Sequence, residues 1–334
     1  MPMSDTFFKG TIGILPVSKQ GPITINIFGY VNEKFVLDET DTYETTLGKD
    51  QHYIAIYFDK SNGDPLISNT NASITIMSSS PVMLSFESPH STTSDNGNDG
   101  SCGAHCYNDF VQFMPIPSQP IKCGSALKIP DQRMITDDYT TRLHVSAPNS
   151  VTNCDSSITV YADVNDINGT KQNVDNMGFT QISLMNTEFS GFSTYDSQLS
   201  TNRFGSIFGN DGLDTYGHFM HYVPSTEEWL TGKTQFYTLA KDCVLEIYAD
   251  NSDSNAVNAI KLDGYPLSAL KYYSKNIPFF GSRYTQYVSN MQGYGLHKLE
   301  SDSNSYVAYV LCQSVNAFFN ANGYLVGFNR RKSN

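Results

Sequence analysis

The chain has 334 residues, with 33 acidic against 21 basic side chains and a formal net charge of −12. That balance argues against a phosphate-backbone partner, which needs a basic footprint, so no nucleic-acid partner is expected. Charged residues are only 16% of the chain, against about a quarter in ordinary soluble domains.

Tyr (21) and Phe (20) are abundant. Few charges and many aromatics suit the strands of a secreted all-β protein. No run is long enough to span a membrane. The first residues, Met-Pro-Met-Ser-Asp, hold no signal peptide, because Thr11 to Val17 is too short and contains Pro16. The expectation is therefore an extracellular protein whose leader has been removed.

Residues 1–20 show no strong period. Short strands then follow at Ile23 to Phe28, Tyr43 to Leu47 and His52 to Phe58. Asn62-Gly-Asp-Pro65 is a turn, Ser73 to Met77 alternates, and Val82 to Phe86 returns after Pro81. Residues 87–109 are polar and predict a mobile loop. Further strands are expected at Phe110 to Phe113, Arg142 to Ser146, Ile158 to Tyr161, Gln181 to Met185, Ser206 to Phe208 and Phe219 to Val223. Pro224 stops the last of these, since proline cannot donate to a ladder. Ser225 followed by Glu228 predicts a capping box over one helical turn, ended by Gly232. Later strands are expected at Gln235 to Leu239, Val244 to Tyr248, Asn258 to Leu262, Arg283 to Val288, Gly295 to Leu299, Tyr306 to Leu311 and Gly323 to Phe328.

Part of this order occurs twice. Phe110 to Gly124 and Phe219 to Gly232 share a strand, a proline stop, a polar turn and a glycine. Cys154 leads into Ile158-Thr-Val-Tyr-Ala-Asp163, and Cys243 into Leu245-Glu-Ile-Tyr-Ala-Asp250. An internal duplication predicts two similar β-sandwich-like units with few or no helices. The expected division is residues 1–125, residues 126–329, and a tail at 330–334.

Several segments together resemble the IgGFc-binding protein N-terminal domain family. They are Ile74 to Phe86, Phe113-Met-Pro-Ile-Pro117, His221-Tyr-Val-Pro-Ser-Thr-Glu-Glu-Trp229, Ile260 to Pro266, Gly293 to His297, Tyr306 to Leu311 and Gly323 to Phe328. The resemblance covers roughly residues 20–329, and the stretch 87–109 departs from the family's pattern. It implies an extracellular binding or matrix role, and it brings no catalytic motif.

Six cysteines and the sequons at Asn71 and Asn168 fit an oxidising compartment. Six cysteines allow 15 pairings; the expected set is Cys243–Cys312, Cys123–Cys154 and Cys102–Cys106. Zinc on Cys102, His105 or Cys106, and Cys123 is the rival, but the two close ligand pairs of a structural site are missing. His218 and His221, three apart on a strand, point to opposite faces, so one buried and one exposed ring is expected. Asp95 to Gly100 and Asp163 to Gly169 have the composition of calcium loops without the spacing, and read as Asx-rich turns. No metal or cofactor is expected.

Asp137-Asp138 and Glu227-Glu228 read as solvated acids. No nucleophile elbow or papain-type cysteine signature is present, so a non-enzyme is expected. Trp229, Tyr272 and Tyr273 are the candidate binding aromatics, with Phe279 and Phe280 as alternatives; a lone tryptophan more often plugs a core. The reading is a secreted module that binds a protein or glycan through loops. A carbohydrate-active hydrolase, which needs two facing carboxylates, and a self-assembling matrix component are the alternatives.

Overall fold

The computed structural model describes residues 9–17, 21–31, 34–46, 52–57, 72–91, 105–106, 109–117, 126–147, 156–162, 168–184, 187–208, 214–252, 255–318 and 320–330. Within them the chain is built almost wholly of β-strands.

The first group is β1 (Lys9–Pro16), β2 (Gly21–Val31), β3 (Lys34–Thr45), β4 (His52–Tyr57), β5 (Ala72–Ser78), β6 (Val82–Ser91), β7 (His105–Cys106) and β8 (Asp109–Phe113). Two sheets, ordered β4-β1-β6-β8 and β3-β2-β5, face each other. On β2, Ile23, Ile25 and Ile27 point inward while Thr24, Asn26 and Phe28 point outward, the period-two pattern of a half-buried strand. Ile12, Ile14, Ile54, Ile74, Phe86, Val111 and Phe113 complete this core. Strand β1 lies where the sequence shows no strong period. Its small and apolar residues alternate as Gly10, Ile12, Ile14 inside and Thr11, Gly13, Leu15 half-buried, and two neighbouring strands complete its ladder.

The second group is β9 (Asp131–Thr136), β10 (Thr140–Ser146), β11 (Ser156–Tyr161), β12 (Thr170–Val174), β13 (Thr180–Ser183), β14 (Phe189–Thr194), β15 (Ser200–Phe208) and β16 (Asp214–Tyr222). They form the sheets β13-β10-β15-β16-β7 and β12-β11-β14-β9. The third group is β17 (Leu230–Thr238), β18 (Val244–Asp250), β19 (Lys261–Leu262), β20 (Tyr265–Pro266), β21 (Tyr272–Asn276), β22 (Tyr284–Asn290), β23 (Gly295–Cys312) and β24 (Asn322–Leu325). These make one sheet, β20-β19-β23-β18-β22-β21, with β17 and β24 also paired to β23.

Three hydrophobic cores result among the described residues. The chain after residue 126 holds two of them, because the last sheet is covered on both faces. On β23, Val307, Tyr309 and Leu311 enter the core shared with the second group, while Tyr306, Ala308 and Val310 enter the third. A strand buried on both sides reads as an unbroken apolar run, as Tyr306 to Leu311 does. The expected boundary at 125/126 lies outside the described residues.

The two Tyr-Ala-Asp segments fall in comparable places. Strand β11 lies between β12 and β14, with β9 beyond β14; β18 lies between β22 and β23, with β17 beyond β23. The two proline-stopped strands differ, for β8 edges its sheet while β16 pairs on both sides.

Three expected elements change. Residues 87–109 are not one loop: β6 runs on to Ser91, His105–Cys106 forms β7 and Asp109 opens β8, the remainder lying outside the described residues. Asn258 to Leu262 is not one strand: α1 (Ala256–Ala259) comes first, capped by the Asn255 side chain accepting from Val257 N at 3.2 Å, and only Lys261–Leu262 pairs. Gly295 to Leu299 and Tyr306 to Leu311 are one 18-residue strand. The polar link between them stays extended because Asn304 Nδ2 donates to Asp250 O at 2.7 Å and Ser301 is buried.

Cys243 and Cys312 form the expected disulfide, with Cα atoms 4.2 Å apart. It lies one residue beyond the Val244–Leu311 pair, joining the start of β18 to the end of β23. Cys102, Cys123 and Cys154 lie outside the described residues, so the pairings Cys102–Cys106 and Cys123–Cys154 do too. The Cys243–Cys312 bridge spans 69 residues of sequence. Replacing both cysteines by alanine is expected to lower stability by about 4 kcal/mol in urea titration, by the chain-entropy relation.

Candidate binding face

Two buried arginines organise the surroundings of the exposed aromatics. Arg203, on β15, donates through Nη1 to Glu246 Oε2 on β18 at 2.5 Å and through Nη2 to Asp138 O at 2.8 Å. Glu246 Oε1 accepts from Tyr248 OH and Gln286 Nε2, each at 2.7 Å, and Gln286 Nε2 also reaches Thr136 Oγ1 at 2.6 Å. Burial alone would lower the Arg203 pKa; the Glu246 carboxylate overrides it and holds the guanidinium charged. The rings of Phe219 and Tyr309 lie 5.4 and 5.6 Å from its central carbon.

Arg133, on β9, pairs with Asp131 through Nε at 3.1 Å and also donates to Val223 O. Beside it, Glu228 accepts from Ser225 N at 2.7 Å, Gln198 Nε2 at 2.8 Å and Tyr222 OH at 3.0 Å. The expected capping box is therefore present, but Glu228 is a buried acceptor rather than a solvated acid; Glu227 is the exposed one. The Glu228 carboxylate is enclosed by Arg133, Tyr222 and Gln198, while Asn329 ties down the turn's backbone, Asn329 N donating to Glu228 O at 2.8 Å and Asn329 Nδ2 to Trp229 O at 2.9 Å.

Both histidines of the pair are buried, not one. They do point to opposite faces, but β16 has a core on each side. His218 lies with Met220 toward the first core and meets Ser206 Oγ at 2.8 Å through Nδ1. His221 lies with Phe219 toward the second, stacked on Tyr309 with ring centroids 4.5 Å apart. Burial, then the Arg203 charge, push the His221 pKa down to about 3, so the ring is neutral and Nδ1 donates to Tyr222 O at 3.0 Å. Burial, then Arg142, also lower the pKa of His144 well below its ordinary value.

The network reaches the surface at the turn Asp137 to Tyr139, where Tyr139 takes a φ of 63°. Lys275 Nζ bridges Asp137 at 2.8 Å and Asp138 at 3.1 Å, and Tyr139 and Tyr273 lie close enough to act on each other's hydroxyls. Tyr273 and Lys275 share one face of β21, the outer strand of its sheet. Tyr273 is 45% exposed and Tyr272 37%. They do not form one platform: neighbours on a strand point to opposite faces, and Tyr272 instead packs edge-on to Tyr287 at 5.8 Å.

Trp229 is not a surface anchor. It is 4% exposed, edge-on to Tyr284 at 5.1 Å, and plugs the second core. Phe279 is buried and Phe280 half-buried, with Tyr161 packed against both. Tyr237, Tyr265, Tyr294 and Leu296 are exposed aromatic or apolar residues that the sequence reading did not single out. The alternation Lys233, Gln235, Tyr237 along β17 carries that signal for Tyr237.

Asn168 is exposed in the turn before β12, whereas Asn71 lies outside the described residues. The zinc candidates Cys102 and Cys123, the loop Asp95 to Gly100 and residues 163–167 also lie outside them. Among the described residues no three His, Cys, Asp or Glu side chains are grouped to hold a metal.

Replacing Arg203 by methionine leaves Glu246 charged, buried and unpaired, and is expected to lower stability by about 3–5 kcal/mol; Arg203→Met with Glu246→Leu should recover most of that in urea titration. A second expectation concerns pH. His221 has an ordinary pKa of 6.5 and a folded value of about 3, so between those limits the unfolded chain binds a proton that the folded chain does not. Stability therefore falls as pH drops through this window, approaching about 1.4 kcal/mol per pH unit for each such histidine. His221→Phe should lessen the fall measured between pH 6 and pH 5 by about that amount.

No family model matches the chain, and no curated protein matches it.

Proposed function

We propose that this chain is an extracellular, non-enzymatic binding module whose partner, a protein or a glycan, meets the exposed rim of β21 and its neighbouring turns. The observation that carries the reading is the placement of Tyr273 and Lys275. Both stand on one face of the outer strand of a sheet, where Lys275 is paired to Asp137 and Asp138 of the turn behind it and Tyr273 lies near Tyr139. That turn is itself tied to the buried Arg203 through Asp138 O. A tyrosine with few rotatable bonds on a rigid strand offers contact area at small entropic cost.

The Cys243–Cys312 disulfide and the exposed Asn168 sequon support an oxidising, glycosylating route. Among the described residues no helix is long and apolar enough to cross a membrane. The resemblance of Ile74 to Phe86 and His221 to Trp229 to the IgGFc-binding protein N-terminal domain family supports the same reading.

The test is binding of the native protein to a glycan array and to immobilised extracellular proteins, including immunoglobulin Fc. Tyr273→Ala with Lys275→Ala is expected to weaken the strongest signal tenfold or more while leaving the circular dichroism unchanged. Catalytic turnover of a polysaccharide by the unmodified protein would support the hydrolase instead. Intact mass before and after reduction, with peptide mapping at Asn168, checks the secretory route.

A further inference from the structure

Two surfaces on different sheets match each other. The first is the outer face of the β2–β3 hairpin. On β3 the residues Leu37 and Tyr43 pack inward, so Asp38, Thr40, Thr42 and Glu44 face out. The hydrogen bonds Thr40 Oγ1 to Asn26 Oδ1 at 2.9 Å and Thr24 to Thr42 at 3.0 Å lie on that outer face. A register shift opposite Gly29 and Tyr30 brings Phe35 and Val36 out together, 54% and 53% exposed. Read from this end, the face runs apolar, then acidic.

The second surface is the ribbon of β17 and the first half of β23. Tyr237 pairs with Leu296, Gln235 with Lys298, and Lys233 with Glu300. Tyr237 and Leu296 are 54% and 63% exposed. Lys261 on β19 also pairs with Glu300, so three lysines surround one carboxylate. Read from the Tyr237 end, this face runs from apolar to a cluster of lysines around Glu300, with the exposed Asp302 next along β23, in a chain whose net charge is −12.

The spacing agrees as well as the sign. Asp38 lies two residues past Val36, and Lys298 lies two past Leu296, a step of about 7 Å along either strand. Laid together, Phe35 and Val36 meet Tyr237 and Leu296 while Asp38 falls near Lys298. A hairpin placed on a second hairpin would set like charges opposite one another, which is unfavourable. Among the described residues β3 pairs only with β2, and its outer edge is the kind that proteins either charge or cover.

We propose that the outer β2–β3 face of one copy docks on the β17–β23 ribbon of a second copy. The two patches differ, so the contact is head-to-tail and each copy keeps one patch free at either end of an assembly. This goes beyond the binding face at β21, which it does not use.

The test uses the full chain at about 150 mM salt, where charges more than about 8 Å apart are largely screened. Sedimentation velocity is followed from low to high micromolar concentration. Unmodified protein is expected to associate with rising concentration. Lys233→Glu with Lys298→Glu, and separately Asp38→Lys with Glu44→Lys, should each weaken association tenfold or more, with unchanged circular dichroism. Mixing these two variants should restore it, because each then offers the other a matching face. Tyr273→Ala with Lys275→Ala should leave association unchanged while affecting partner binding, which separates this proposal from the binding role. Unmodified protein that stays monomeric across the range overturns the proposal. So does association that neither charge reversal weakens, or a mixture of the variants that remains monomeric, or ribbon binding to poly-glutamate without self-association.

Discussion

The salt bridge between Arg203 and Glu246 sets the relation between two sheets. It joins β15 to β18 through charges that have no access to water. Such a pair carries a large desolvation cost and is tolerated only where its remaining hydrogen-bonding capacity is filled. Tyr248, Gln286 and Asp138 O fill much of it, and each comes from a different strand or turn. A slip of one residue between the sheets would strand the charges in a dry core. Register and electrostatics therefore constrain each other here.

The same arginine determines what the surface can present. Because it holds Asp138 O, the turn Asp137 to Tyr139 has a fixed place, and Lys275 is located by that turn, with Tyr273 on the same face of β21. The acids divide accordingly. Asp131, Glu228 and Glu246 serve arginines or backbone amides inside, and Asp137 and Asp138 serve a lysine at the rim. The tyrosines divide in the same way. Tyr248 and Tyr309 lie in the core with their hydroxyls among the buried charges, while Tyr237, Tyr273 and Tyr294 meet solvent.

The edges of the sheets carry a related economy. Among the described residues β3 pairs only with β2, and the acidic side chains of such an edge strand discourage an identical strand. The lysines of the β17–β23 ribbon have the opposite sign and surround a single glutamate. In a negative chain, a cluster of lysines such as this one biases where a negative partner settles.

Local pattern alone determined the all-β class, the alternation of Ile23, Ile25 and Ile27, and the capping box at Ser225 and Glu228; for the cysteines it allowed 15 pairings, and the packed sheets selected Cys243 with Cys312. Each of the first three depends on neighbours in sequence or on a strand's own period. Tertiary packing decided the rest. Whether Trp229 is a plug or an anchor depends on what its ring meets, Tyr284 and the second core, which are distant in sequence. His221 is buried because β16 has a core on both faces, and no strand's own period reports what covers its second face. The split of Tyr272 from Tyr273 and the join of β23 through its polar middle also rest on distant partners, Tyr287 and Asp250. Period-two patterning fixes which side a residue faces; only the packed sheets fix what that side meets.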